Sequence, residues 1–209
     1  FKDGWVEVQD EGSQLLALLS DARPGAKVVD FCAGAGGKSL AMAATMKNSG
    51  RIVACDVSEP RLNRSAQRFK RAGAFMIERR ALSSERDKWI KRRAGRHGGG
   101  FDRVLVDAPC SGTGTWRRNP DQKWRTTETD IEELSQLQGS ILDSASRLVS
   151  PGGRLIHATC SILEEENERQ VERFLADNPD FFLHPIGQIW ADILPGDCPV
   201  EGDMLRLSP

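Results

Sequence analysis

Two short stretches concentrate the side chains capable of covalent chemistry: "VLVDAPCSGTGTWRRNP" (104–120) and "LIHATCS" (155–161). In the first, an apolar run breaks at the carboxylate of Asp107, and Cys110 follows three residues on. In the second, Cys160 ends a similar run. A cysteine in such a place serves as filler, metal ligand or nucleophile. The five cysteines (Cys32, Cys55, Cys110, Cys160, Cys198) contain no C-x-x-C pair, and His97, His157 and His184 do not cluster with them. A zinc site or a disulfide framework is therefore disfavoured. A nucleophile assisted by a carboxylate stays in play.

The elements around these residues say where they must stand. Strand-like runs "AKVVDFCA", "GRIVACDV", "AFMIERRAL" (the weakest), "FDRVLVDAP" and "GRLIHATCS" alternate with helical segments. The helices are "GGKSLAMAATMK", about Glu59 to Arg71, the short basic "SSERDKWIKRRAG", and "ETDIEELSQLQGSILDSASRLV", which should stop at Pro151-Gly152-Gly153. A long loop after "FDRVLVDAP" runs to about Thr127, and "RAGRHGGGF" reads as a flexible insert. Ser161 and Glu164 have capping-box spacing ahead of a last helix, "EEENERQVERFLAD". Such alternation predicts an α/β fold, a mostly parallel twisted sheet with helices on both faces. Ligands in such sheets bind beyond the carboxyl ends of the strands. Asp30, Asp56, Asp107 and Cys160 all fall at or beside predicted strand ends.

The first strand is joined to its helix by "DFCAGAGGKS". Glycines there let a backbone approach a ligand, and the helix start offers free N–H donors. A phosphate-binding P-loop would need glycine where Cys32 stands, and a dinucleotide fingerprint would need it at Ser39. S-adenosylmethionine carries no pyrophosphate, so a looser glycine loop suffices. Asp56, twenty residues after Gly36, can take both ribose hydroxyls.

Methylating carbon 5 of cytosine demands what this chain offers. That carbon is a poor nucleophile until a thiolate adds to carbon 6. A hydrogen-bonding acid at ring nitrogen 3 and a base for the carbon 5 proton complete the set. "VVDFCAGAGGKS", "VLVDAPCSGTGTWRRNPDQKWR" and "LIHATCSILEEENERQV" resemble, in order and spacing, the motifs of the RNA cytosine-5 methyltransferase family (Sun/NOL/NOP2-like). "GWVEVQDEGSQLLALL" is similar to the segment that precedes its cofactor loop. The likeness covers nearly the whole chain. It implies a Rossmann-like catalytic core, S-adenosylmethionine as methyl donor and structured RNA, foremost small-subunit ribosomal RNA, as substrate.

By that resemblance Cys160 is the nucleophile, Cys110 assists breakdown of the adduct, and Asp107 holds the base edge close to the donor methyl. The residues Cys32, Ala33, Gly34, Ala35, Gly36, Gly37 and Lys38 cradle the cofactor, with Asp56, Arg61 and Asp107 as further contacts. DNA cytosine-5 methyltransferases use the cysteine of the P-C pair instead, which keeps Cys110 open as the rival nucleophile. Lys38 either lowers a thiol pKa or is a solvated first-turn lysine. The family loop usually reads A-A-P-G-G-K, whereas this chain has Ala33-Gly34-Ala35-Gly36-Gly37-Lys38. An acidic adenine contact after the third strand has no clear match in "ERRALSSERD".

Trp116, Arg117, Arg118, Lys123, Trp124 and Arg125 follow Cys110 and are the candidate RNA contacts, by stacking and phosphate clamping. For Trp124, pinning the loop to the core is an equal possibility. From Arg61 to Arg96 thirteen Lys or Arg face three acids, a stripe fit for a phosphate backbone or simply a solvated helix face.

At 209 residues, 39% hydrophobic, 28% charged and net charge −1, the chain fits one globular catalytic domain, 1–209. No apolar run approaches the roughly 20 residues of a membrane span, and the start lacks a signal peptide, so a cytoplasmic monomer without metal is expected. Starting at Phe1 and stopping at "MLRLSP", it reads as a fragment lacking an N-terminal RNA-binding domain and the last strands. Amino-group methylation is a weaker reading, since D-A-P-C stands where [DNS]-P-P-[YFW] is usual and no tyrosine is present. A scaffold role in ribosome assembly and a transfer RNA substrate also stay open.

Overall fold

A computed structural model describes residues 3–94 and 100–207. Arg96, His97 and most of the "RAGRHGGGF" insert lie outside the described residues. The chain divides into two compact units: one runs to Asp107 and resumes at Asp143–Ile156, the other holds Ala108–Leu142 and the chain from His157 onward.

The first unit carries the sheet. Strands β1 (Lys27–Asp30), β2 (Arg51–Asp56), β3 (Ile77–Ala81) and β4 (Phe101–Asp107) are joined by β5 (Val149–Ala158) in the order β3-β2-β1-β4-β5. The pairs β1–β2, β1–β4 and β2–β3 are parallel, with Asp30 opposite Ala54 and Leu105, and Asp56 opposite Ala81. Helices stand around this sheet: α1 (Glu11–Leu19), α2 (Gly37–Thr45), α3 (Glu59–Arg71) and α4 (Lys88–Ala94). Val28, Met42, Met46, Ile52, Leu62, Phe69 and Leu105 pack into one buried apolar cluster. Each such side chain contributes about 1.5–3 kcal/mol relative to exposure. The alternation read from the sequence is therefore the architecture, and Asp30, Asp56 and Asp107 each end a strand.

Local differences from the sequence-based expectations have physical reasons. Helix α1 arises inside "QDEGSQLLALL", where Asp10 caps it by accepting from Gly12 and Ser13 N–H at 3.1 and 3.4 Å. The long loop after β4 contains a further short helix, α5 (Gln122–Arg125). Helix α6 (Glu128–Ser146) stops before Pro151, and the Pro-Gly-Gly punctuation falls inside β5. That strand is at the sheet edge, where a proline's missing N–H costs no ladder bond.

The expected capping box is absent as well. Leu163 stands at the N-cap of a 3₁₀ turn, Glu164–Glu166, without a side-chain cap. Non-helical Asn167 separates that turn from α7 (Glu168–Asp177). A last helix, α8 (Ile186–Ile193), follows. Among the described residues no helix is long and apolar enough to cross a membrane.

Candidate active site

The glycine loop of the first unit is shaped from three sides. Gly34 and Gly36 have φ of +56° and +79°, a region that favours glycine. A Cβ on Gly36 would come within 2.4 Å of the Phe69 ring of α3, so glycine is what lets the loop sit down on that helix. At Gly34 nothing lies within 4 Å of where a Cβ would stand, which leaves the backbone open to a ligand. Arg68, also from α3, donates to the Ala35 carbonyl at 2.8 Å.

Carboxylates at the strand ends complete this cradle. Asp56 Oδ2 accepts from Gly34 N–H at 2.8 Å and Oδ1 from Ser58 N–H at 2.7 Å. Each oxygen keeps a further lone pair, so the carboxylate is oriented by the loop and still able to take hydroxyl groups. Lys38 Nζ lies 2.5 Å from Asp107 Oδ2. Fully buried Asp30 accepts from Ser39 Oγ at 2.7 Å, and its other oxygen has no hydrogen bond within the protein. Burial pushes Asp30 up from 3.8 to about 6; the Ser39 bond and Lys38 oppose that rise, while Asp107 and Asp56 add to it. The Cys32 and Cys55 thiols are likewise driven upward, first by burial and then by the charge of Asp30. Both therefore stay protonated and unreactive at neutral pH.

The second unit brings the other two thiols together. Cys110 Sγ and Cys160 Sγ are 3.3 Å apart, with Cys160 exposed and Cys110 half-buried. The Cys110 thiol is pushed well above its ordinary range, chiefly by its bond to Cys160 and then by burial. This shift is opposite to what a neighbouring cation would produce. Backbone bonds tie the two loops: Ala108 N–H donates to Ala158 O at 2.9 Å, and Gly114 N–H to Cys160 O at 3.0 Å. Ser161, expected as a helix cap, instead places Oγ 2.9 Å from Thr113 Oγ1.

The remaining candidates also lie in the second unit, except Arg61. Arg117, Arg118, Lys123, Trp124 and Arg125 are exposed, and Trp116 is half-buried. Trp124 does not pin its loop to the core: it is 83% exposed, because the one-turn α5 turns it outward. Lys123 Nζ stands 5.8 and 5.4 Å from the Trp116 and Trp124 ring centres. A cleft of about 660 Å³ beside Cys110 is lined by Asn119, Gln122, Arg125, Thr126 and Glu133 among others. Arg61 sits exposed in the first turn of α3.

The basic stripe is not one free face. Arg68 and Arg71 pair with Glu7, and Arg80 and Arg93 lie over the Trp89 ring at 5.2 and 5.8 Å. Sequence reasoning missed the partners that build the site, namely Ser39 beneath Asp30 and Glu166, Gln138 and Asn167 around the cysteines. Only the polar run "EEENE" hinted at the latter, and it has the look of a helix start.

Known proteins resemble this chain over most of its length. The family model of the 16S rRNA methyltransferase RsmB/F matches residues 17–195. A ribosomal RNA small subunit methyltransferase B of Klebsiella pneumoniae (strain 342) is 39% identical over 97% of this chain and 46% of its own length. The crystal structure of PH0851 superposes with a TM-score of 0.82 at 41% identity, over 88% of this chain and 41% of that one. NSun6 from Pyrococcus horikoshii, solved with SFG, gives 0.75 at 26% identity, over 85% and 44%. The chain thus spans less than half the length of these relatives.

Proposed function

The chain belongs to the RsmB/F family of 16S rRNA methyltransferases, and from that premise we propose that it transfers a methyl group to carbon 5 of cytosine in small-subunit ribosomal RNA. S-adenosylmethionine is the donor, supplying an electrophilic methyl group. The loop Cys32–Lys38 with Asp56 fits it, because Gly34 leaves space above its backbone and the Asp56 carboxylate is held in place for a diol.

One observation carries the chemical reading: two thiols 3.3 Å apart on adjoining loops. Cys160, the exposed member, adds as thiolate to carbon 6, and Asp107 supports ring nitrogen 3. Carbon 5, made electron-rich, takes the methyl group. Cys110 keeps its proton until the Cys160 sulfur is bonded to carbon, because the bond between the two thiols is the largest cause of its raised pKa. Once the Cys160 sulfur is bonded to carbon it is an uncharged, weak acceptor, and that cause is reduced. Cys110 can then ionise and accept the carbon 5 proton as the carbon–sulfur bond breaks. Trp116, Arg117, Arg118, Lys123, Trp124 and Arg125 hold the extruded base and its flanking phosphates.

Labelled donor and small-subunit RNA from cells lacking the parent gene test this directly. The label is expected in 5-methylcytosine. Cys160→Ala should lose transfer by at least about 10⁴-fold and form no covalent adduct. Cys110→Ala should accumulate a protein–RNA adduct. The opposite pattern reassigns the nucleophile, and label in no cytosine overturns the reaction.

A further inference from the structure

We propose that the dipeptide Glu166-Asn167 is a clamp that sets the separation of Cys110 and Cys160, each of its two residues gripping the chain on both sides of one cysteine. The clamp rests on the proposed function for its purpose, though its geometry can be read without it.

Glu166 is fully buried, yet it lies in a 3₁₀ turn of three consecutive glutamates. An ionised carboxylate is stable there only if its oxygens are met by donors. Three donors meet them. Oε1 accepts from Ser111 N–H at 2.8 Å and from Gln138 Nε2 at 3.0 Å, and Oε2 accepts from Ser111 Oγ. Gln138, itself fully buried on α6, also donates to the Pro109 carbonyl at 2.9 Å. Pro109 and Ser111 are the residues before and after Cys110. The carboxylate, directly and through one amide, thus fixes the backbone on either flank of that thiol.

Asn167 does the same for the other cysteine. Its Oδ1 accepts from Thr159 Oγ1 at 2.7 Å, and its Nδ2 donates to the Ser161 and Leu163 carbonyls at 3.1 and 2.7 Å. Thr159 and Ser161 flank Cys160. A further bond steadies the base of the clamp. His157 Nε2, on β5, lies 3.1 Å from the Glu166 carbonyl, and a carbonyl only accepts, so the ring nitrogen donates. Both residues of the clamp act through the residues that flank the thiols. They are positioning residues, and the quantity they govern is the separation of the two sulfurs, 3.3 Å.

Glu166→Gln and Asn167→Ala separate positioning from folding. Glutamine keeps the volume but offers one acceptor and one amide donor to three donors, so at least one bond is lost. Alanine removes all three Asn167 bonds. Both are made in the full-length protein carrying this chain, and thermal unfolding confirms that each is folded. Dibromobimane, which becomes fluorescent when both its arms alkylate thiols, then reports Cys110–Cys160 bridging, with peptide mapping to identify the pair.

Expected are bridging slowed about 10-fold and kcat lowered about 100-fold, the penalty typical of a misplacement near 1 Å, while KM for the methyl donor stays unchanged. Wild-type bridging rates in both folded variants would overturn the clamp. So would slowed bridging with an undiminished kcat. Wild-type protein that bridges its thiols but methylates no RNA would strike the proposed function alone, leaving the geometric part of the clamp supported by the variants.

Discussion

Two pairs of cysteines in one chain stand in opposite surroundings. Cys32 and Cys55 lie in the sheet-bearing unit, in low-dielectric surroundings and close to carboxylates. Both influences disfavour a thiolate, so these sulfurs act as small apolar fillers. Cys110 and Cys160 lie on loops of the other unit, at hydrogen-bonding distance from each other, one of them exposed. The contrast extends to what holds each pair. Cys55 stands on β2 without exposure, next to the equally buried Ala54. Around the second pair are Ser111, Thr113, Ser161, Gln138, Glu166 and Asn167, joined by hydrogen bonds. Apolar packing is non-directional and tolerates small displacement, whereas hydrogen bonds fix direction. A reacting pair needs the second kind of support.

The widest gap should be in thiol reactivity. Iodoacetamide at pH 8 is expected to alkylate Cys160 at least about 1000-fold faster than Cys55 or Cys32 in the folded protein, because Cys160 is exposed while burial holds the other two protonated. Mass mapping over time measures this. Comparable rates would erase the distinction between the pairs.

A smaller effect should come from Asp30, the carboxylate bonded to Ser39 at the start of α2. Asp30 holds its proton more tightly folded, at about 6, than unfolded, at 3.8. Its contribution to stability is therefore fully present below about pH 4 and lost as pH rises through 6, by on the order of 2 kcal/mol. The stability of the wild type minus that of Asp30→Asn should fall over this range, as read from denaturant unfolding at pH 4 to 7. A flat difference would show that the carboxyl is ionised at no cost.

The smallest expected change sharpens the picture of the reactive pair. With Cys160→Ala, the bond that raises the Cys110 thiol most is gone. Cys110 should then alkylate about 10-fold faster at a given pH, one pKa step. An unchanged rate would make burial, not the partner sulfur, the controlling influence.

Much of the first unit was legible along the chain. Continuous apolar runs ending in Asp30, Asp56 and Asp107 announced buried parallel strands with carboxylates at their ends, and the glycines between Cys32 and Lys38 announced an open loop between strand and helix. These features depend on residues a few positions apart. The outward face of Trp124 and the inclusion of Pro151 in β5 were not legible, since exposure and edge position belong to the assembled sheet and loops. Nor was Lys38's partner, because Asp107 lies 69 residues away in the chain.

The residue types and spacings by themselves determined the α/β alternation, the glycine turn and the presence of two cysteines beyond strand ends, because periodicity, turn preference and strand length are local properties of a chain. Tertiary structure alone decided which thiols meet, which are silenced, and that Glu166 and Asn167 are interior tethers instead of a helix start. The reason is physical: a thiol's proton affinity and a carboxylate's burial are set by atoms within a few ångströms, and those atoms arrive from positions tens of residues distant, which only folding brings together.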